Sequence, residues 1–204
     1  MTARRADAHL AACDPVLAGV VASTKLRPVR HRDEPYRALL RAVLAQQVSK
    51  AAADAIEARF LDLFPRRDPT PARLVGTSPE TLRGAGLSRQ KAGYMHAVAE
   101  AARGGRLARS RLERLDDEAV LERLTAIRGI GRWTAEMVLM FSLDRPDVFP
   151  ADDVGIERAI ERLYPLPARG RARRAAMRAV AEPWSPWRTR ACRYLWAWRR
   201  NAPL

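Results

Sequence analysis

Lysine, histidine and cysteine are all scarce in this chain, and it contains no long apolar run. The two cysteines, Cys13 and Cys192, are too few and too far apart for a zinc site or an iron-sulfur cluster. They suggest no disulfide framework either, so an intracellular, cytoplasmic protein is the expectation. His9, His31 and His96 fall at no metal-ligand spacing, and each reads as an ordinary surface or packed side chain. The opening MTARRADAHLAACDPVLAGVVAS is mildly apolar but broken early by charge. No stretch reaches the roughly 18 apolar residues of a membrane span, which argues against a transmembrane segment and a secretory signal. Alternating β patterns, internal repeats and low-complexity linkers are missing too. Lysine occurs only as Lys25, Lys50 and Lys91.

Arginine fills the gap. Lys plus Arg total 37 against 23 Asp plus Glu, a formal charge of +14. Such a surplus suits a partner bearing phosphates, with nucleic acid first. A GC-rich genome could also produce the Arg and Ala bias, and basic surfaces serve membranes and acidic proteins as well. The 204 residues, 48% hydrophobic, are enough for one domain or two small interlocked subdomains with a sizeable core.

The periodicity is helical throughout. Tyr36, Leu39, Leu40, Val43, Leu44 and Val48 repeat at helix spacing, with Pro35 where a first turn tolerates it. Thr70-Pro71, Ser78-Pro79 and Ser185-Pro186 each combine a capping hydroxyl with a proline, and so predict helix starts. Gly84 and Gly104-Gly105 predict helix ends, and Val120, Leu121, Leu124 and Ile127 predict an amphipathic helix after Asp116-Asp117. The expectation is an all-α chain of about eight to ten short helices, in one domain over 1–204.

Ile127-Arg-Gly-Ile-Gly-Arg-Trp133 reads as a tight turn between two helices over about 117–142. Ile127 ends the first helix, and Arg132 or Trp133 starts the second. Glycines at 129 and 131 would permit positive φ angles and bring a ligand close to the backbone. The unpaired amides of the second helix would then face an anion. A C-cap with a close helix crossing explains the same pattern without a ligand.

This stretch, followed by Asp147-Val-Phe-Pro-Ala-Asp-Asp153, resembles the helix-hairpin-helix DNA glycosylase superfamily, and within it the 3-methyladenine DNA glycosylase II group. LLRAVLAQQVSKAAA (39–53), GLSRQKAGYMHAVAEA (86–101) and WSPWRTRACRYLWAW (184–198) are similar to other blocks of that group. The likeness therefore covers nearly the whole chain. It implies a compact two-lobed helical fold with a cleft between the lobes, acting on double-stranded DNA containing damaged bases, as a monomer associated with the nucleoid. The amides of Gly129, Gly131 and Thr134 match the family's phosphate clamp, with Arg128 and Arg132 as adjoining cations. The carbonyls of Thr125, Ile127 and Gly129 match a structural sodium or potassium site, and no cofactor is implied. Two departures stand out. Arg128 replaces a common proline, and the chain is too short for the β-containing N-terminal domain of some members.

Of Asp152 and Asp153, which precede an apolar helical pattern, one reads as an N-cap. By resemblance Asp153 is the catalytic aspartate, and the two roles are compatible. Bifunctional members carry a nucleophilic lysine two positions after the second glycine, where this chain has Trp133, so strand cleavage through an imine is not expected. Trp133 and Met137 share a helix face and, with Trp196, match a pocket for a flipped base. Trp184 and Trp198 read mainly as core, and Glu136 as a solvated helix face rather than a pocket charge. Gln47, with Gln46 beside it, matches the wedge that fills the vacated stack. The arginines of RGRARRAAMR (169–178) and WRTRACR (187–193) would bind phosphates without reading sequence, though many belong to a solvated face. Together these features imply a monofunctional glycosylase for alkylated purines. The alternatives are a glycosylase for deaminated or oxidised bases, and a non-catalytic damage-binding protein.

Overall fold

A computed structural model describes residues 3–26, 33–167 and 170–201 of the chain; His31 and Arg169, named above, lie outside the described residues. Among the described residues there is no strand. The helices are α1 (Ala3–Cys13), α2 (Pro15–Ser23), α3 (Pro35–Ala45), α4 (Lys50–Asp62), α5 (Pro71–Val75), α6 (Pro79–Gly84), α7 (Arg89–Arg103), α8 (Arg109–Leu112), α9 (Asp117–Thr125), α10 (Arg132–Phe141), α11 (Val154–Leu163), α12 (Arg171–Ala181) and α13 (Arg188–Asn201), with 3-10 turns at Pro65–Arg67 and Glu182–Trp184. That exceeds the eight to ten expected. The excess includes α8, which is too short to show a period, and the two N-terminal helices, for which no start is predicted above. No helix among the described residues is long and apolar enough to cross a membrane.

The chain divides into two units, a contiguous one over His31–Leu143 and a discontinuous one formed by Met1–Arg30 with Asp144–Leu204. In the contiguous unit α7 is central, and α3, α5 and α6 pack on it. Leu39, Leu40, Val43 and Leu44 of α3 and Ala92, Met95, Val98 and Ala99 of α7 are buried, each large side chain contributing about 1.5–3 kcal/mol. Thr70 and Ser78 cap α5 and α6 as their sequence predicts, accepting from the amides of Arg73 and Thr81. Gly84 ends α6, and Gly104 caps the C-terminus of α7. Two expectations fail here. Val48 lies beyond the end of α3 and is 39% exposed. The helix before the hairpin stops at Thr125 rather than Ile127.

The discontinuous unit packs α2 on α1 and α13, and α11 on α13. Its polar knot is Asp14, whose Oδ1 caps α2 through the amides of Val16 and Leu17 at 2.9 and 3.0 Å. Asp14 Oδ2 accepts from the Tyr164 hydroxyl at 2.7 Å and the Trp184 indole at 2.8 Å. Trp184 is wholly buried, as expected of a core residue, whereas Trp198 is half-buried with the Arg162 guanidinium 5.5 Å over its ring. Ser185 does not cap a helix. Its Oγ donates to Asp147 Oδ2 at 2.8 Å, and α13 begins only at Arg188, whose guanidinium grips the same carboxylate.

Candidate nucleic-acid interface and catalytic carboxylate

The hairpin is built on two glycines that do different work. Gly129 has φ +91°, and any Cβ there would overlap the Tyr94 ring from α7, so only glycine fits. Gly131 does not take the positive φ expected of it; it is extended, at φ −89° and ψ 169°, and an added Cβ would meet nothing within 4 Å. Its role is that of a side-chain-free N-cap for α10, since no side chain caps that helix. A helix start without a side-chain cap is where a protein can receive an anion.

Around the turn, the Arg128 guanidinium lies 6.0 Å over the Tyr94 ring. Arg132 is held by two carboxylates, Glu118 at 2.9 Å and Glu136 at 3.2 Å. Glu136 is only 3% exposed, which corrects the expectation of a solvated face: the ion pair with Arg132 lets the carboxylate be buried. Trp133 is 44% exposed, and Met137, one turn on, is half-buried. An indole held at the surface of a well-packed helix is unusual for a core residue and suits stacking.

Asp153 caps α11. Its Oδ1 accepts from the Ile156 amide at 2.7 Å and from Trp196 Nε1 at 2.8 Å, so the carboxylate is fixed from two sides. It is 9% exposed, and its neighbour Val154 is 56% exposed, which puts the group just beneath the surface rather than sealed in the core. Asp152 is exposed and pairs with Arg174 at 3.5 Å. Trp196, expected as a pocket wall, is half-buried and serves first as the donor that orients Asp153.

Sequence reasoning missed Gly155. A Cβ there would lie 2.9 Å from Asp153 Oδ1 and 3.0 Å from Trp196 Cδ1, so a glycine is needed for the carboxylate and the indole to meet. The signal was a small residue two positions after the candidate aspartate.

Gln47 projects from the turn between α3 and α4. It is exposed, with φ 57°, a left-handed conformation that costs a non-glycine residue about 1–2 kcal/mol. Gln46 does not share the tip: its Nε2 donates to the Gly129 carbonyl at 3.0 Å. Of the downstream arginines, Arg173 binds Glu157 and Glu161, Arg188 binds Asp147 and Arg190 binds Asp7. Those serve their own unit, while Arg171 and Arg178 are exposed.

For a cation, the carbonyls of Ile127 and Gly129 already accept from the Ile130 amide and from Gln46, both at 3.0 Å. Each carbonyl retains a second lone pair. Neutral oxygens just past the C-terminus of α9 are the donor chemistry a monovalent ion takes, so the residues fit one.

Two helices joined by a glycine turn, the second starting without a side-chain cap, define a helix-hairpin-helix protein, here with an aspartate-capped helix downstream. A family model for HhH-GPD superfamily base excision DNA repair proteins matches residues 40–186. DNA-3-methyladenine glycosylase 1 of Schizosaccharomyces pombe is 37% identical over 197 residues, covering 94% of this chain and 86% of that protein. The S. pombe 3-methyladenine DNA glycosylase solved in complex with abasic DNA superposes with a TM-score of 0.78, covering 94% of this chain and 95% of that one. A Bacillus halodurans DNA-3-methyladenine glycosidase, 35% identical, gives 0.80 over 95% and 88%. The chain belongs to the HhH-GPD superfamily of base excision DNA repair proteins.

Proposed function

We propose that this chain is a monofunctional DNA glycosylase that flips alkylated purines of the 3-methyladenine type out of duplex DNA and hydrolyses their N-glycosidic bond. The observation that carries the reading is the doubly anchored carboxylate of Asp153, bonded to the Ile156 amide and the Trp196 indole. As the base departs, positive charge builds on the deoxyribose before water bonds to it. A carboxylate about 4 Å away, at an effective dielectric near 20, stabilises that charge by about 4 kcal/mol. Gained only in the transition state, this is roughly a thousandfold in rate. The same group orients the attacking water.

The alkylated base is already cationic, so it leaves without a strong general acid, and the exposed face of Trp133 attracts it by about 0.5–2 kcal/mol. Gln47 fills the vacated stack, and the amides of the Gly131-capped helix, with Arg128, hold a backbone phosphate. A sodium or potassium ion on the carbonyls of Thr125, Ile127 and Gly129 would steady the turn and take no part in the chemistry.

The absence of lyase chemistry is supported by the three lysines. Lys91 is buried on the Leu44 carbonyl, Lys50 pairs with Asp54 and Lys25 is exposed, so none lies in the hairpin. The relatives' printed names favour alkylated bases over the deaminated or oxidised alternatives.

Incubation with methylated duplex DNA should release free methylated purines and leave alkali-labile sites, with no imine trapped by borohydride. Asp153→Asn should keep lesion-duplex binding and lose release. Release at the wild-type rate would remove Asp153 from the mechanism, and binding without any release by the wild-type protein would support the non-catalytic alternative.

A further inference from the structure

Lys91 is a buried cation that the reading above leaves without a task. It is 9% exposed, sits in the first turn of α7, and no carboxylate among the described residues pairs with it. Burial alone pushes its ammonium below the ordinary lysine range. Both circumstances disfavour a charge there, because the start of a helix repels cations and an ammonium loses its hydration inside a protein. An apolar side chain would pack at that position without either penalty.

The ammonium is aimed at one atom. Lys91 Nζ donates to the Leu44 carbonyl at 2.7 Å, one of the acceptors left open in the last turn of α3. The next residues form the turn that carries Gln47, in its left-handed conformation, and the exposed Val48. One helical turn further along the same face of α7, Tyr94 backs Gly129 of the hairpin, with its hydroxyl held by Gln90 at 2.5 Å. Gln46 closes the frame by donating to the Gly129 carbonyl. One face of α7 thus sets the wedge turn through Lys91 and the hairpin through Tyr94, and Gln46 ties the two loops together.

We propose that Lys91 and Gln46 are positioning residues for base flipping, bracing the turn of Gln47 at a fixed spacing from the phosphate seat of the hairpin. The inference rests on the reading of Gln47 as the wedge. A wedge that must enter the stack beside a clamped phosphate works only if its distance from that phosphate is fixed. Loosening either brace should therefore impair extrusion of the base and spare the hydrolysis that follows.

The test uses the full chain and single-turnover release of a methylated purine from two duplexes, one with the lesion paired and one with it opposite an abasic site, where extrusion is cheap. Lys91→Met and Gln46→Ala should each slow release from the paired duplex by roughly tenfold or more, the loss of one charge-assisted or buried hydrogen bond, and from the unpaired one by no more than about twofold. In a Gln47→Ala background, Lys91→Met should add little, because its effect passes through the same turn. Equal losses on both duplexes, additive with Gln47→Ala, would make Lys91 merely structural and overturn the proposal. Wild-type release by both variants would do the same. Should Lys91→Met not fold, Gln46→Ala carries the comparison alone. If instead Gln47→Ala releases the paired lesion at the wild-type rate, the wedge assignment itself fails, and that outcome is distinct from failure of the braces.

Discussion

Replacing Gly155 by alanine perturbs Asp153 without touching its chemistry. In the interior of a helix this substitution ordinarily stabilises by about 0.5–1 kcal/mol. Here the new Cβ would stand 2.9 Å from Asp153 Oδ1 and 3.0 and 3.1 Å from Trp196 Cδ1 and Nε1, against 3.4 Å for ordinary contact. The carboxylate would have to retreat by about 0.5 Å. Its Oδ1 holds bonds of 2.7 and 2.8 Å, so that shift breaks or badly stretches one of them, a loss of about 1.5–3 kcal/mol. Misplacing a reacting group by about 1 Å costs on the order of a hundredfold. Release of methylated purines from duplex DNA should then fall between about tenfold and a hundredfold under single turnover. The melting temperature should fall by a few degrees, because Gly155 lies in the first turn of α11 and any helix gain offsets only part of the lost hydrogen bond. Gly93→Ala is the control: it lies within α7 with nothing within 4 Å of an added Cβ, and should raise stability with release unchanged. If Gly155→Ala released bases at the wild-type rate, the geometric account of Asp153 would be refuted.

The two hairpin glycines should respond in opposite ways. Gly129→Ala must displace the Tyr94 ring and adopt φ +91°, destabilising the fold by more than about 2 kcal/mol in denaturant melts. Gly131→Ala should fold normally but bind duplex DNA several-fold more weakly by fluorescence anisotropy, roughly the price of a methyl group at the phosphate seat. Trp133→Ala should weaken release of cationic bases by about twofold to thirtyfold and of neutral ones less, the range of one cation-π contact; equal losses would count against stacking on charge. Burial raises the Asp14 carboxyl, but the Leu17 amide, the Tyr164 hydroxyl, the Trp184 indole and the Val16 amide together hold it below its ordinary range. Its stabilisation is therefore present above the unfolded carboxylate range and lost as the pH falls through the folded value. Acid melts of Asp14→Asn should show a flatter fall below about pH 4, and Asp14→Ala should cost about 1–3 kcal/mol at neutral pH for the orphaned indole.

The helix starts at Thr70 and Ser78 were legible because cap and proline are adjacent in the chain. Asp14-Pro15 carries the same signal and could have announced α2. Ser185-Pro186 carries it too, but there the hydroxyl is claimed by Asp147, which no local pattern reveals. Val48 kept the apolar rhythm of α3 in sequence and left it in space, because the chain turns at Gln46 and Gln47. Asp153 and Trp133 were singled out as candidates by resemblance and local pattern. The demands on Gly155 and Glu136 were hidden, since they come from Trp196 and Arg132, partners whose meeting depends on tertiary packing. Gln47 was preferred to Gln46 by resemblance alone; the left-handed backbone of Gln47 and the hydrogen bond of Gln46 to Gly129, which set the two apart in space, depend on the turn and the hairpin.

The bonds of Asp14 also bear on how the protein is made. Its partners Tyr164 and Trp184 lie 150 and 170 residues downstream, whereas the contiguous unit ends at Leu143. During synthesis the ribosome delivers every residue of that unit before either aromatic partner exists, so closure of the long loop between the chain's two ends comes last, at the entropic cost such closures carry. A nascent chain stalled near residue 143 would hold an aspartate waiting in water, and protease accessibility of the first two helices would report when translation has passed the indole.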